Sequence, residues 1–318
     1  MKFLSDIKQG WMIIVYSFRL WRRYPELLMP LIAQQLISAP IILHLVFGED
    51  MFYDQHPFFV LFLSIFCIAL LLTFCCLILL ELLEQLERNQ PIDLWAATWA
   101  ATKNDLLRSL PLVLGWSVIW FVIVVVEAFL AKARERTRLA ETPENIARIL
   151  ADQPRTTTLR EELLDALQKG IRMVVFLILP GIAWEGRGVR DATRRGLSIL
   201  RLHGGAFLSN FALAIIVEGF VFLPAVVVFF LSDDGVVIAD WVWFVTIGYI
   251  FFAWSYTIYT EQMLGAELYL WHLRWEKQIN VTVAGEFARI EDVDPPSLFD
   301  GVPELLNQVI QTQDTKKI

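Results

Sequence analysis

The residue best placed to do chemistry in this chain is a carboxylate in an apolar setting. Glu218 sits at the centre of residues 214–222, whose other members are all apolar or glycine. A charge at the middle of a bilayer costs about 2.5–3.5 kcal/mol on insertion scales, so Glu218 must face other helices, find a partner or take up a proton. Candidate partners are Gln34 and Gln35 in the first apolar run, or Ser255, Tyr256 and Tyr259 in the last. Gly219, next in the chain, would let a neighbouring helix come close. Two roles are open to such a group: handling a proton or polar solute, or a hydrogen bond that ties helices together.

The second constellation is cationic. Arg190, Arg194 and Arg201 fall on one face of a helix over 188–203, with Val189, Ala192, Gly196 and Ile199 on another. Cations at a membrane surface attract anionic headgroups by about 1 kcal/mol each. Glu185, just before this stretch, could cap the helix near its positive N-terminus or act at the mouth of a bundle.

Established catalytic patterns are missing. The sequence has no HExxH, no GxSxG and no glycine-rich phosphate loop. His44, His56, His203 and His272 lie in separate segments without metal-ligand spacing. Glu161-Glu162 resembles the paired glutamates of one class of intramembrane protease, but Ala166 follows Asp165 where that class has an arginine. Cys67, Cys75 and Cys76 all lie in the second apolar run and form no CxxC pair, which makes them packing groups. The expectation is a protein that is not an enzyme and has no cofactor.

These residues must be positioned by six apolar runs, 26–47, 57–80, 109–131, 171–184, 205–231 and 238–260. A bilayer core about 30 Å thick is crossed by roughly 20 helical residues. Backbone groups in lipid must pair within their own segment, so each run is expected to be a helix. The fourth run is short, and extending it gives predicted spans at 26–47, 57–80, 109–131, 169–186, 205–231 and 238–262. Lys169 and Arg172 would then snorkel to the interface. Glu127, Glu261 and Glu267 fall at helix ends, the last two with Trp271, Arg274 and Trp275 as an interface anchor. Pro180-Gly181 and Pro224 interrupt the fourth and fifth runs, as broken helices do in some transporters.

Charge distribution predicts orientation. Five Lys/Arg precede the first span and five lie in 186–204, whereas 48–56 and 232–240 contain none. The positive-inside bias places both termini, 81–108 and 186–204 in the cytoplasm. Residues 132–168 resist, because 132–169 carry eight Lys/Arg against seven Asp/Glu. They lie outside if the third and fourth runs cross fully, and inside if those runs form a re-entrant hairpin. The net charge of −7 comes mostly from loops and tail, and no basic arm for nucleic acid is present.

An amphipathic stretch precedes three of the hairpins, at 3–24, 91–108 and 188–203, recurring roughly every 90 residues like an internal triplication. Pro91 suits the first position of the second such helix. Stretches of this kind lie in the headgroup plane.

Several short motifs are similar to an uncharacterised bacterial family of six-span membrane proteins, a domain of unknown function. They are Gly10-Trp11, Ser17-Phe18-Arg19-Leu20 and Pro25-Glu26-Leu27-Leu28-Met29-Pro30-Leu31. Further on come Leu179-Pro180-Gly181-Ile182-Ala183-Trp184-Glu185-Gly186, with Ala192 and Ser198, and then Ala266-Glu267-Leu268-Tyr269-Leu270. The layout also resembles the membrane domain of some glycerophosphodiester phosphodiesterases, without their catalytic domain. The resemblance covers roughly residues 7–275, implies a six-helix membrane domain and singles out Glu185.

The expected fold is all-α and integral to the membrane: six transmembrane helices as three hairpins, each preceded by an amphipathic interfacial helix. Residues 1–275 form the membrane domain and 276–318 a polar cytoplasmic tail. The expected location is a bacterial inner membrane. The expected partners are the lipid bilayer, anionic lipid headgroups and another membrane protein, with no nucleic acid. The expected function is a non-enzymatic module organising lipids or partner proteins, or else a small transporter or channel built on Glu218.

Overall fold

The structure, a computed structural model, describes residues 2–47, 56–88, 90–131, 142–151 and 159–286. Among them the elements are α1 (Lys2–Arg23), α2 (Met29–Phe47), α3 (Pro57–Glu87), α4 (Leu94–Ala100), α5 (Leu107–Ala131), α6 (Pro143–Leu150), α7 (Leu159–Ala183), α8 (Val189–Leu202), α9 (Gly204–Asp233) and α10 (Asp240–Glu286). Six helical stretches are long and apolar enough to cross a membrane: Pro25–Phe47, Pro57–Leu86, Leu94–Glu127, Leu163–Ala183, Gly204–Asp233 and Asp240–Glu276. The protein is an all-helical, multi-pass membrane protein.

The spans run past the apolar runs because helix continues wherever backbone bonds and packing allow. A π-helical turn over Ala101–Leu106 joins α4 to α5, so the second amphipathic stretch runs on into the third span. Its start is set by Asp93, whose Oδ1 accepts from Trp95 N at 2.9 Å and Ala96 N at 3.0 Å. Pro91 therefore lies ahead of the cap and is not the first helical residue. The helices are also unbroken at Pro180 and Pro224. α10 continues for 47 residues, about 70 Å at 1.5 Å per residue. The expected boundary between domain and tail at 275/276 falls inside it. The rest of the tail, 287–318, lies outside the described residues, as do 48–55, 132–141 and 152–158.

α10 is the central strut, packed against α9, α7, α6, α2 and α1. α7 packs against α5, α8 and α10, while α1 lies across α9 and α10. Small residues permit these approaches. A Cβ on Gly10 would meet Leu213 Cδ1 at 2.4 Å, and one on Gly196 would meet Ile178 Cγ1 at 2.7 Å. Gly219, by contrast, has open space where a Cβ would stand, so the close helix approach expected there is not made. Hydroxyls within the spans are mostly satisfied on their own helix: Ser117 donates to Val113 O, Ser255 to Phe251 O and Thr260 to Tyr256 O. The charged groups are what must find partners across helices.

The short helix α6 locates part of the charged connection. Arg148, buried, donates to Asp233 Oδ1 at 2.8 Å and to the Phe229 carbonyl at 3.3 Å. Its guanidinium also lies 5.0 Å from the Phe229 ring centroid. Trp254 Nε1 donates to Leu150 O at 2.8 Å. Residues 142–151 therefore sit at the same end of the bundle as the 234–239 turn, opposite α8.

A buried ion-pair network and an arginine-bearing end

The α7 sequence places Lys169 and Arg172 three residues apart, on one face of the helix. Both turn inward. Lys169 Nζ pairs with Glu218 of α9 and lies 3.4 Å from Glu261 Oε1 of α10. Arg172 grips Glu261 in a fork, Nε to Oε2 at 2.7 Å and Nη2 to Oε1 at 2.8 Å. Its guanidinium is 6.0 Å from the Trp254 ring centroid. Two cations and two carboxylates thus meet between α7, α9 and α10 with no net charge. Glu261 is 1% exposed and Lys169 7%, while the Glu218 side chain keeps 27%.

The network is at mid-depth. Glu218 is fourteen residues from Gly204 and fifteen from Asp233, about 21 Å from either end of α9 at 1.5 Å per residue. A charge here is tolerable only with its partner beside it. A pocket of about 40 Å³, lined in part by Trp116, Trp120, Gln168 and Arg172, opens onto the network from the α5 side. That is room for water beside the polar groups of Gln168 and Arg172.

Three expectations are corrected at this point. Glu218 does not pair with Gln34, Gln35, Ser255, Tyr256 or Tyr259. Gln34 donates to Ser38 Oγ at 2.9 Å on its own helix, Gln35 is half-buried, and the Tyr259 hydroxyl donates to Ser17 O at 3.0 Å. Lys169 and Arg172 do not snorkel, because the carboxylates waiting inside outweigh the interface. Glu261 and Glu267 are not an interface anchor: both are buried on α10, which continues well past them. Of the four members only Glu218 was marked by the sequence, as a charge in the middle of an apolar run.

The α8 end carries the second cluster. Gly186, at φ +61°, takes the left-handed conformation that turns the chain out of α7. Gly188 then caps α8 without a side-chain hydrogen bond. Glu185 is therefore not the cap of α8. It accepts from the Tyr269 hydroxyl, receives Arg187 Nε at 2.5 Å and lies 3.7 Å from Arg195 Nε. Arg195, which sequence reasoning passed over, points inward and binds Glu276 through both terminal nitrogens at 2.5 Å. Those hydrogen bonds hold its guanidinium still more firmly protonated than usual. His272 Nε2 lies 3.2 Å from Glu276, and His272 Nδ1 lies 3.1 Å from His203 Nε2.

Arg190, Arg194 and Arg201 point the other way. All three are exposed, while Ala192, Gly196 and Ile199 on the opposite face are buried in the bundle. The network at mid-depth and the exposed arginines are distinct sites about 20 Å apart along the helices. Among the described residues no three His, Cys, Asp or Glu side chains are grouped to hold a metal ion.

No family model matches this chain, and neither a curated protein nor a solved structure matches it.

Proposed function

We propose that this protein is a non-enzymatic membrane module that gathers anionic lipid, and through it partner proteins, at the α8 face. One observation carries the reading: α8 buries its small and apolar face in the bundle and leaves Arg190, Arg194 and Arg201 exposed. None of the three makes an ion pair among the described residues, in contrast to Arg148, Arg172, Arg187 and Arg195. An unneutralised row of guanidinium groups at the headgroup plane needs anions from outside the chain. In this reading that face and both termini are cytoplasmic, in a bacterial inner membrane, and the positive-inside bias of the basic flanks supports the orientation. The resemblance to a six-span bacterial membrane family fits this placement. The test is to extract the protein with its surrounding lipid in polymer-bounded native discs and to compare the wild type with an Arg190→Gln/Arg194→Gln/Arg201→Gln variant. Anionic lipid enriched around the wild type and depleted around the variant is the expected result; equal lipid profiles refute the reading.

A transporter is the second reading, favoured by the charged network at mid-depth and the small, mostly apolar pocket that reaches Gln168 and Arg172. It predicts that Glu218→Gln abolishes a solute or proton flux in proteoliposomes. Absence of any flux difference between the wild type and Glu218→Gln across anion, cation and proton gradients removes it.

A further inference from the structure

A groove of about 630 Å³ runs up the side of the bundle between α5 and α7 and is closed at its foot by α8 and Phe207. From α5 it is lined by Pro111, Gly115 and Ile119, each four residues apart. From α7 it is lined by a stripe from Ala166 to Ile178, about 18 Å of helix. Two of its walls are cut away. A Cβ on Gly115 would meet nothing within 4 Å, and one on Gly170 only Phe211 at 3.9 Å. The groove is therefore an open apolar slot along about 18 Å of α7, within the size range of small-molecule sites.

The foot of the slot is cationic. Val189, Thr193 and Leu197 line it from α8, and the next residues after the first two are the exposed Arg190 and Arg194. Arg108, also exposed, stands on α5 one turn before Pro111 and Leu112. Its Nη1 lies 3.3 Å from where Gly186 would carry a Cβ, which brings it to the turn leading into α8. Arg190 and Arg194 each follow a lining residue of α8, and Arg108 precedes the lining residues of α5, so three arginine positions from two helices flank the α8 end of the apolar slot.

We propose that this slot binds one acyl chain of an anionic phospholipid whose phosphate is held by Arg108, Arg190 and Arg194. The proposal rests on the lipid-gathering reading and adds a defined site to it. Bilayer lipid brushes every outer helix face; the slot differs in pairing an elongated apolar recess with arginines at one end only. Thr193, on the lining face of α8 between the arginines, adds a hydroxyl donor at the mouth.

The test uses the full wild-type chain reconstituted with phosphatidylglycerol bearing a diazirine partway along one acyl chain, followed by photolysis and peptide mapping. Labelling concentrated in 111–119 and 166–178 is the expected outcome. Labels spread over outward residues such as Phe220, Phe230 and Phe244 overturn the slot. The Arg190→Gln/Arg194→Gln variant removes two cations, each contributing about a fivefold attraction, so slot labelling should fall by about 25-fold. The same diazirine on phosphatidylcholine should label the slot as weakly in the wild type as phosphatidylglycerol does in that variant. Charge-dependent labelling away from the slot leaves the lipid-gathering reading standing and removes this site. Slot labelling that ignores headgroup charge removes both the phosphate assignment and the reading beneath it.

Discussion

Removing the carboxylate of Glu261 should be the most damaging single change in the molecule. Glu261 is almost fully buried and serves two cations: both nitrogens of the Arg172 fork at 2.7 and 2.8 Å and Lys169 at 3.4 Å. Glu261→Gln keeps the shape but leaves three charges summing to +1 at mid-depth, with Arg172 deprived of the carboxylate it grips. Breaking one side of a buried pair costs about 3–5 kcal/mol, and Glu261→Gln should fall in that range. Glu218→Gln should cost less, about 1–2 kcal/mol, because its side chain is 27% exposed and Lys169 keeps Glu261 as a partner. The double replacement Lys169→Met/Glu218→Leu removes a whole pair and should lie within about 1 kcal/mol of the wild type. Titration with SDS from mild-detergent micelles, read by circular dichroism, gives the three values. A Glu261→Gln protein within about 0.5 kcal/mol of the wild type, or a double variant as damaged as the sum of its single variants, would refute the coupled network.

Other parts of the structure make equally direct predictions. Arg148→Met should release α6 from Asp233 and the Phe229 carbonyl, so hydrogen exchange at 143–150 should rise while that of α10 stays protected. Gly196→Val drives its Cβ into Ile178 and should cost about 1–3 kcal/mol by overpacking, whereas Gly219→Ala meets open space and should be neutral or stabilising in the same SDS titration. Arg195→Gln removes both hydrogen bonds to Glu276 and should speed hydrogen exchange near 272–279 without altering anionic lipid enrichment.

The spans were legible because bilayer physics demands long apolar helices, and the helices of the structure overlie all six apolar runs. Helix ends were less legible. Hydropathy falls off at Leu80 and at Glu261, but backbone bonding and packing carry α3 to Glu87 and α10 to Glu286. The exposed face of α8 could be read from helical spacing, with one exception. Arg195 falls among the same arginines, yet turns inward because Glu276 lies on the neighbouring turn of α10, a contact across 81 residues that no local pattern carries. Glu218 was visible as a costly charge, but its partner was not. Lys169 sits ahead of the apolar run that follows it, so local hydropathy assigns it to the interface. Only the packing of α7 against α10, with Glu218 reaching in from α9, brings it to its carboxylate partners.

The most direct test of the lipid-gathering account is a native mass spectrum of the intact protein released from mild detergent. The account predicts one or more anionic phospholipids retained on the wild-type chain and lost from the Arg190→Gln/Arg194→Gln/Arg201→Gln variant. A wild-type chain that emerges bare, or holding zwitterionic lipid in the same proportion as the membrane it came from, would contradict it.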